Sequence, residues 1–354
     1  MLTSVTIENF RCIEHASLAF DPRSTGVIGA NASGKTSLLE AIYFLGHGRS
    51  FRTHQAEKLR RTGTPFFRVV GKLETSRGLL TAGLEYSQGR TRGHLAGQGI
   101  SGIADIAEVL PLQVIDPGVH RLVEEGSARR RRLMDWGVFH VKREFLGFWR
   151  RYQRALSQRN AALRTSDAED LVRPWEHDFC SAGAEVDRLR EQYVQQLSPY
   201  FEALATRLVG PGTSLAYRRG WPADLDLREA LDASISRDLR LKTTHVGPHR
   251  ADIGFVVDGV AARDRVSRGQ QKMLAAAFIL AQLQCHSALG APPTTLMLDD
   301  PAAELDVDNL GKLLLAIAEI PSQLIVTSVH EHGLKGIDIG RRFHVEQGKF
   351  EPMV

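Results

Sequence analysis

The chain has 354 residues, 43% hydrophobic and 24% charged, enough for two or three domains, or for one domain with a large insertion, and too apolar for a disordered polyampholyte. Its formal net charge of +4 and pI near 9.0 give a mild bias toward a polyanionic partner. Cys12, Cys180 and Cys285 are isolated with no CxxC pair, which argues for reduced packing residues over a disulfide frame or a zinc site.

In chain order, residues 2–8 and 15–20 read as strands, and STGVIGA supplies a third short strand ending in a small-residue turn. The N-terminal stretch carries Glu8 and no long apolar core, so it does not read as a signal peptide. After the turn, Leu38, Leu39, Ile42 and Leu45 fall at helical spacing, with Gly46 and Gly48 as stops. The turn itself, Gly29-Ala30-Asn31-Ala32-Ser33-Gly34-Lys35-Thr36-Ser37, fits GxxxxGK[ST] between strand and helix. Its glycines let backbone N–H groups face a β-phosphate, and the helix N-terminus adds positive potential. Lys35 is expected to reach the β/γ oxygens, and the Thr36 hydroxyl to ligate Mg2+. ATP with Mg2+ is therefore the expected cofactor.

Residues 66–112 give further strand-like runs, and Pro111 and Pro117 bracket LQVID. From 119 to 211 the texture is helical and glycine-poor, as in an inserted lobe. Residues 121–160 hold eleven Lys or Arg against four acids, a surface able to neutralise phosphates without reading bases. Arg129, Arg130, Arg131, Arg132, Arg150 and Arg151 are its candidate DNA contacts. The other reading is a solvated, internally paired helix face, with Arg129–Arg132 holding the lobe on the ATPase. His249 and Arg250 in GPHRAD likewise read either as a satisfied structural pair or as a nucleotide- or DNA-facing one.

β texture returns with SLAYRRG and DIGFVVDG, then a helix, the apolar strand TTLMLDD, another helix and the strand QLIVTSV. This alternation predicts an α/β fold with a parallel-containing sheet. The expected domains are a discontinuous head, 1–118 with 212–354, and a helical lobe, 119–211. Asp299 is expected behind Thr36, holding Mg2+ through water, with Asp300 placed to orient the attacking water. No apolar run approaches the ~18 residues of a membrane span, so a soluble, cytoplasmic protein without a membrane partner is expected.

Ser267-Arg268-Gly269-Gln270, opening a helix, resembles the signature motif of ABC-type ATPases, in which serine, backbone amides and helix end bind the γ-phosphate held by the other subunit. The bland reading is an N-capped helix. PAAELD resembles the D-loop with Ala303 in place of serine, and Ser328 stands where a switch histidine is usual, with His330 two residues on. Asp300 is a methylene shorter than the usual glutamate, which implies slow hydrolysis. Ser267 follows Gly34 by 233 residues, too many for a transporter ATPase subunit, the competing reading, and too few for a chromosome-maintenance coiled coil. With ENFRCIEHASLAF, LGHGRSFR, RRRLMDWGVFHV and GPHRADI, nearly the whole chain resembles the RecF family of bacterial recombination mediators. The resemblance implies an ABC-type P-loop head with a helical lobe. It also implies ATP-driven dimerisation on single-stranded or gapped DNA, weak DNA-stimulated ATPase activity, and action with RecO and RecR to load RecA. It carries MgATP binding to Lys35, Thr36 and Asp299, action in trans to Ser267, Gly269 and Gln270, and hydrolysis to Asp300. Arg11 becomes either a nucleotide contact or a salt partner, and Gln113 a Q-loop candidate blurred by Asp116-Pro117-Gly118.

Overall fold

A computed structural model of the chain describes every residue except Arg77, Ser166, Asp167 and Val354. Its contacts divide it into two units, Met1–Val119 with Gly290–Val354, and His120–Leu289.

The first unit contains two six-stranded sheets among the described residues. In one, Leu2–Phe10, Ile13–Ala19, Phe66–Thr75, Gly78–Ser87 and Arg90–Leu95 pair antiparallel. Burial alternates along Leu2–Phe10, Ile13–Ala19 and Phe66–Thr75, as expected of a sheet with one face in the core. In the other, Arg341–Glu346, Ser24–Ile28, Gln323–Ser328, Thr295–Leu298 and Leu112–Ile115 lie parallel in that spatial order, and Lys349–Met353 closes one edge antiparallel. Every residue of its strands Ser24–Ile28, Thr295–Leu298 and Gln323–Ser328 is buried, the signature of a sheet covered on both faces.

The helix Lys35–His47 joins the two sheets in one core, burying Leu38, Leu39, Ile42, Phe44 and Leu45. It is apolar on most of its circumference because it is enclosed on most sides. Of the two glycines expected to stop it, Gly48 does so in the left-handed conformation, φ 65. Gly46 lies inside the helix, at a close approach where a Cβ would meet Leu112 Cδ1 at 2.5 Å. Gln323 ties three strands together. Its Oε1 accepts from Leu2 N and Thr295 Oγ1, both at 3.0 Å, and its Nε2 donates to Leu2 O and Asp21 O at 2.8 and 3.0 Å. All of this buried amide's hydrogen-bonding capacity on both ends is thereby used.

The second unit is built around the 33-residue helix Glu176–Leu208, which runs through Pro199. It packs on the helices Phe145–Thr165 and Arg268–Ala288 and on the strand Thr213–Arg218. Phe201, Phe255 and Phe278 meet at centroid distances of 5.4 to 6.1 Å. Residues 212–289, grouped with the head in the sequence reading, pack on the helices of 120–211, through this long helix and also through Ser127–Val141, whose Arg130 pairs with Asp252.

A buried charge network lies in the same unit. Arg159, fully buried, donates to Asp238 Oδ2 at 2.7 Å, Thr244 Oγ1 at 2.8 Å and Glu176 Oε1 at 3.4 Å. Arg228 reaches Glu176 at 3.3 Å, and His245 Nδ1 lies 2.9 Å from Asp238 Oδ1.

Candidate nucleotide-binding site

In an open parallel sheet the strand carboxyl ends form the natural ligand edge. Here that edge carries the 29–37 turn after Ser24–Ile28 and Asp299-Asp300 after Thr295–Leu298. The register Ser328↔Ile28 and Leu298↔Val326 brings both ends level with the end of Gln323–Ser328.

Close approach shapes the turn. A Cβ on Gly29 would lie 2.3 Å from Val345 O, so only glycine fits. Gly34 has φ 120, and Ala32, at φ 62, occupies a left-handed position where glycine would be unstrained. Beneath the turn lies the hairpin Gln347-Gly348, both left-handed at φ 48 and 79 as primed turns require. Gly348 N donates to Ser33 O at 2.7 Å.

Lys35 Nζ donates to Gly29 O at 2.7 Å and Ala30 O at 2.9 Å. Burial lowers its pKa, and the charges of Asp300 and Asp299 push it back up. The Thr36 hydroxyl donates to the Asp299 carboxylate, 2.9 and 3.0 Å from its two oxygens. Burial raises the Asp299 pKa, opposed by hydrogen bonds from Thr327 and Thr36. Thr327 Oγ1 lies 2.9 Å from Asp299 Oδ1 and accepts from Asp300 N at 3.0 Å. Asp300 itself is left-handed, φ 45, and only partly buried. The sequence reading did not single out Thr327. The signal available was a hydroxyl directly after the apolar run Leu324-Ile325-Val326.

Ser328 is 1% exposed and its hydroxyl donates to His330 O at 2.8 Å. Gln113 lies within the strand Leu112–Ile115, not in the turn after it. Arg11 forms a two-pronged pair with Glu40, Nε to Oε2 at 2.9 Å and Nη2 to Oε1 at 2.8 Å, matching the salt-partner reading. Glu40 is fully buried and also receives Ser50 Oγ, whose oxygen accepts from Arg52 N and Thr53 N at 2.8 and 3.1 Å. That accounts for the GRSFR stretch as a helix anchor.

In the second unit, Ser267 and Gln270 form a reciprocal capping box at the start of Arg268–Ala288. Gly269 has only Ser267 Oγ near its missing Cβ, at 4.0 Å, so the helix end is open to approach. Among the arginines, Arg130 forks onto Asp252 at 2.8 and 3.0 Å and also donates to Leu122 O and Glu125 O. Arg131 donates to Ala251 O at 2.7 Å and to Ser127 Oγ. Arg130 thus uses all three guanidinium nitrogens inside the fold, and Arg131 uses its Nη1 there. Arg129 pairs with Glu125 at 3.3 Å, and Arg132 Nε donates to Ala128 O at 3.3 Å. Arg150, Arg151 and Arg154 are exposed at spacings that share one face of Phe145–Thr165. Arg151 reaches Asp178 at 3.0 Å. His249 is a structural residue: Nε2 lies 3.0 Å from Thr244 O and Nδ1 2.6 Å from Tyr152 Oη. Burial lowers its pKa to about 4. Arg250 Nη2 donates to Thr244 O at 3.3 Å.

The cradle fits a nucleotide with its cation. Ser33 Oγ is buried there without a partner, and the turn closes on itself too tightly for a side chain at 29. Among the described residues no three His, Cys, Asp or Glu side chains cluster to hold a metal. One hydroxyl and one carboxylate suffice for Mg2+ only when phosphate oxygens and waters complete its shell.

A family profile described as the RecF/RecN/SMC N terminal domain matches residues 1–349. Proteins named DNA replication and repair protein RecF from Thioalkalivibrio sulfidiphilus and Pseudomonas putida are each 37% identical to the chain, covering 98% of it and 98% and 97% of themselves. A solved structure titled as the recombination mediator protein RecF-ATP in the RecFOR pathway superposes with TM-score 0.89 at 23% identity, covering 100% of this chain and 97% of that one. An Smc head bound to the C-winged helix domain of ScpA gives 0.61 at 17%, covering 99% of this chain and 96% of that one. The fold is an ABC-type ATPase head of the SMC and RecF kind, mixed α/β, and no described helix is long and apolar enough to cross a membrane. On full-length identity and profile match together, the chain belongs to the RecF family.

Proposed function

We propose that this chain is an ATP-gated DNA-binding protein of recombinational repair and replication-fork restart. It binds MgATP in the 29–37 cradle, pairs with a second copy around the nucleotide, and in that state grips single-stranded or gapped DNA. The observation that carries the reading is the convergence of the Thr36 hydroxyl and the Asp299 carboxylate at the mouth of a cradle in which Lys35 rests on two loop carbonyls. Thr36 and Asp299 hold the cation, Lys35 the phosphates, and Asp300 orients the attacking water. Ser267, Gly269 and Gln270 of each copy close the nucleotide of the other through their open helix end. Hydrolysis is slow, because Asp300 is short and no switch histidine occupies position 328, and its stimulation by DNA follows from family membership. Action with RecO and RecR, delivery of RecA and a cytoplasmic site follow from family membership and from the pathway named in the relatives' titles. A transporter ATPase subunit finds no support among these relatives.

On DNA, the exposed face of Arg150, Arg151 and Arg154 is the phosphate-contacting surface, with Arg129 and Arg132 beside it in sequence. Replacing Arg150, Arg151 and Arg154 together by alanine should lower the slope of log affinity against log salt by roughly 2 to 3. MgATP binding should be unchanged. Filter binding across a salt series measures this, and an unaltered slope would move the DNA contact elsewhere.

A further inference from the structure

We propose that Thr327 is a positioning residue that sets the two carboxylates of the LDD edge relative to each other, fixing Asp299 from behind and pinning the peptide of Asp300. This rests on the MgATP reading above and deepens it.

Thr327 is fully buried in the strand Gln323–Ser328, between the strand that leads into the cradle and the strand that ends in Asp299. A threonine hydroxyl has one proton and two lone pairs. Here the N–H of Asp300 donates to it at 3.0 Å, which leaves its own proton for Asp299 Oδ1 at 2.9 Å. The hydroxyl therefore has one orientation that serves both partners. Oδ1 also lies 3.0 Å from the Thr36 hydroxyl and Oδ2 2.9 Å. The Asp299 carboxylate is thus held between a hydroxyl on the cradle helix and one on the strand behind it.

Asp300 needs a different kind of support. Its φ of 45 and ψ of 58 are left-handed, a conformation that L side chains avoid. That turn separates a carboxylate 5% exposed at 299 from a more accessible one at 300. In this turn the Asp300 N–H is held by the Thr327 hydroxyl. The next residue, Ser328, accepts from Gly29 N at 3.2 Å through its carbonyl. One strand end is therefore joined to the first residue of the cradle, to the cation-holding carboxylate and to the peptide of the water-orienting one. Removing the hydroxyl leaves the Asp299 carboxylate held from the Thr36 side alone and takes the partner from the partly buried Asp300 N–H, while the nucleotide's own contacts with Lys35 and the turn stay in place.

The test uses the full-length protein and two readouts, nucleotide binding with and without Mg2+ and hydrolysis. Thr327→Val keeps the volume and removes the hydroxyl, whereas Thr327→Ser keeps the hydroxyl. Thr327→Val should lose about 10- to 100-fold in affinity for a fluorescent ATP analogue with Mg2+, the worth of a hydrogen bond to a charged group. In EDTA its affinity should stay within about threefold of wild type, and its turnover should fall by a similar factor to its Mg2+-dependent binding. Thr327→Ser should stay within about threefold throughout. If Thr327→Val does not fold, Thr327→Cys, which replaces the hydroxyl by a weak donor and acceptor, takes its place with the same expectation, the serine variant controlling for the lost methyl. Wild-type behaviour of the valine or cysteine variant overturns the proposal. So does a serine variant as impaired as valine, because the methyl group and not the hydroxyl would then matter. A wild-type protein whose nucleotide binding ignores both Mg2+ and Lys35→Ala overturns the MgATP reading itself, whatever the Thr327 variants do.

Discussion

Lys35→Ala is expected to weaken ATP binding by at least about 100-fold, the worth of two charge-assisted hydrogen bonds to phosphate. Hydrolysis should be lost with it. Nζ is held by Gly29 O and Ala30 O at the cradle, where burial lowers the pKa of its ammonium group and the charges of Asp300 and Asp299 offset that only in part. The first turn of the helix contains no acid to repel a phosphate. Alanine keeps the helix, being its best former, so the thermal midpoint should change little. Lys35→Arg should not restore binding, because a planar fork cannot replace a compact ammonium enclosed by backbone. Titration with a fluorescent ATP analogue measures this, and an alanine variant binding within threefold of wild type would remove Lys35 from the site.

The largest stability effect is expected at Arg159. Arg159→Ala would strand Asp238, fully buried, and Glu176, 2% exposed, with Arg228 beside Glu176 and the His245 ring beside Asp238 as their remaining partners. Removing one partner of a buried ion pair costs about 3–5 kcal/mol. For a unit of this size that lowers the thermal midpoint by roughly 6–20 °C. Arg159→Lys should recover only part of the loss, since one ammonium cannot reach Asp238, Thr244 and Glu176 together. Calorimetry of the full chain decides it, and a shift below 2 °C would show that the network relaxes around the gap.

The parallel sheet and the cradle were legible because each has a local cause. Continuous apolar runs mark strands buried on both faces, and GANASGKTS carries its geometry in its glycines. The DD edge was legible through its pairing with that turn. Long-range partners were not. Glu40 is one acid in an apolar helix by sequence, and its role appears only once Arg11 and Ser50 converge on it. Composition over 121–160 could not separate Arg130, turned inward onto Asp252, from Arg150, which faces solvent. Helix periodicity around these arginines is the same in both cases, and only the partner strand distinguishes them. Thr327 was hidden for a similar reason, since its two partners lie 27 and 28 residues away in sequence.

Sedimentation of the wild type with and without MgATP, beside Ser267→Arg, puts the shared-nucleotide account at most direct risk. Ser267 is exposed at an open helix end, so arginine there should leave each copy folded and able to bind ATP while blocking the approach of a second. The account predicts a monomer without nucleotide, a dimer with MgATP, and a monomer under both conditions for the variant. A variant that dimerises with MgATP as fully as wild type, or a wild type that never does, would contradict it.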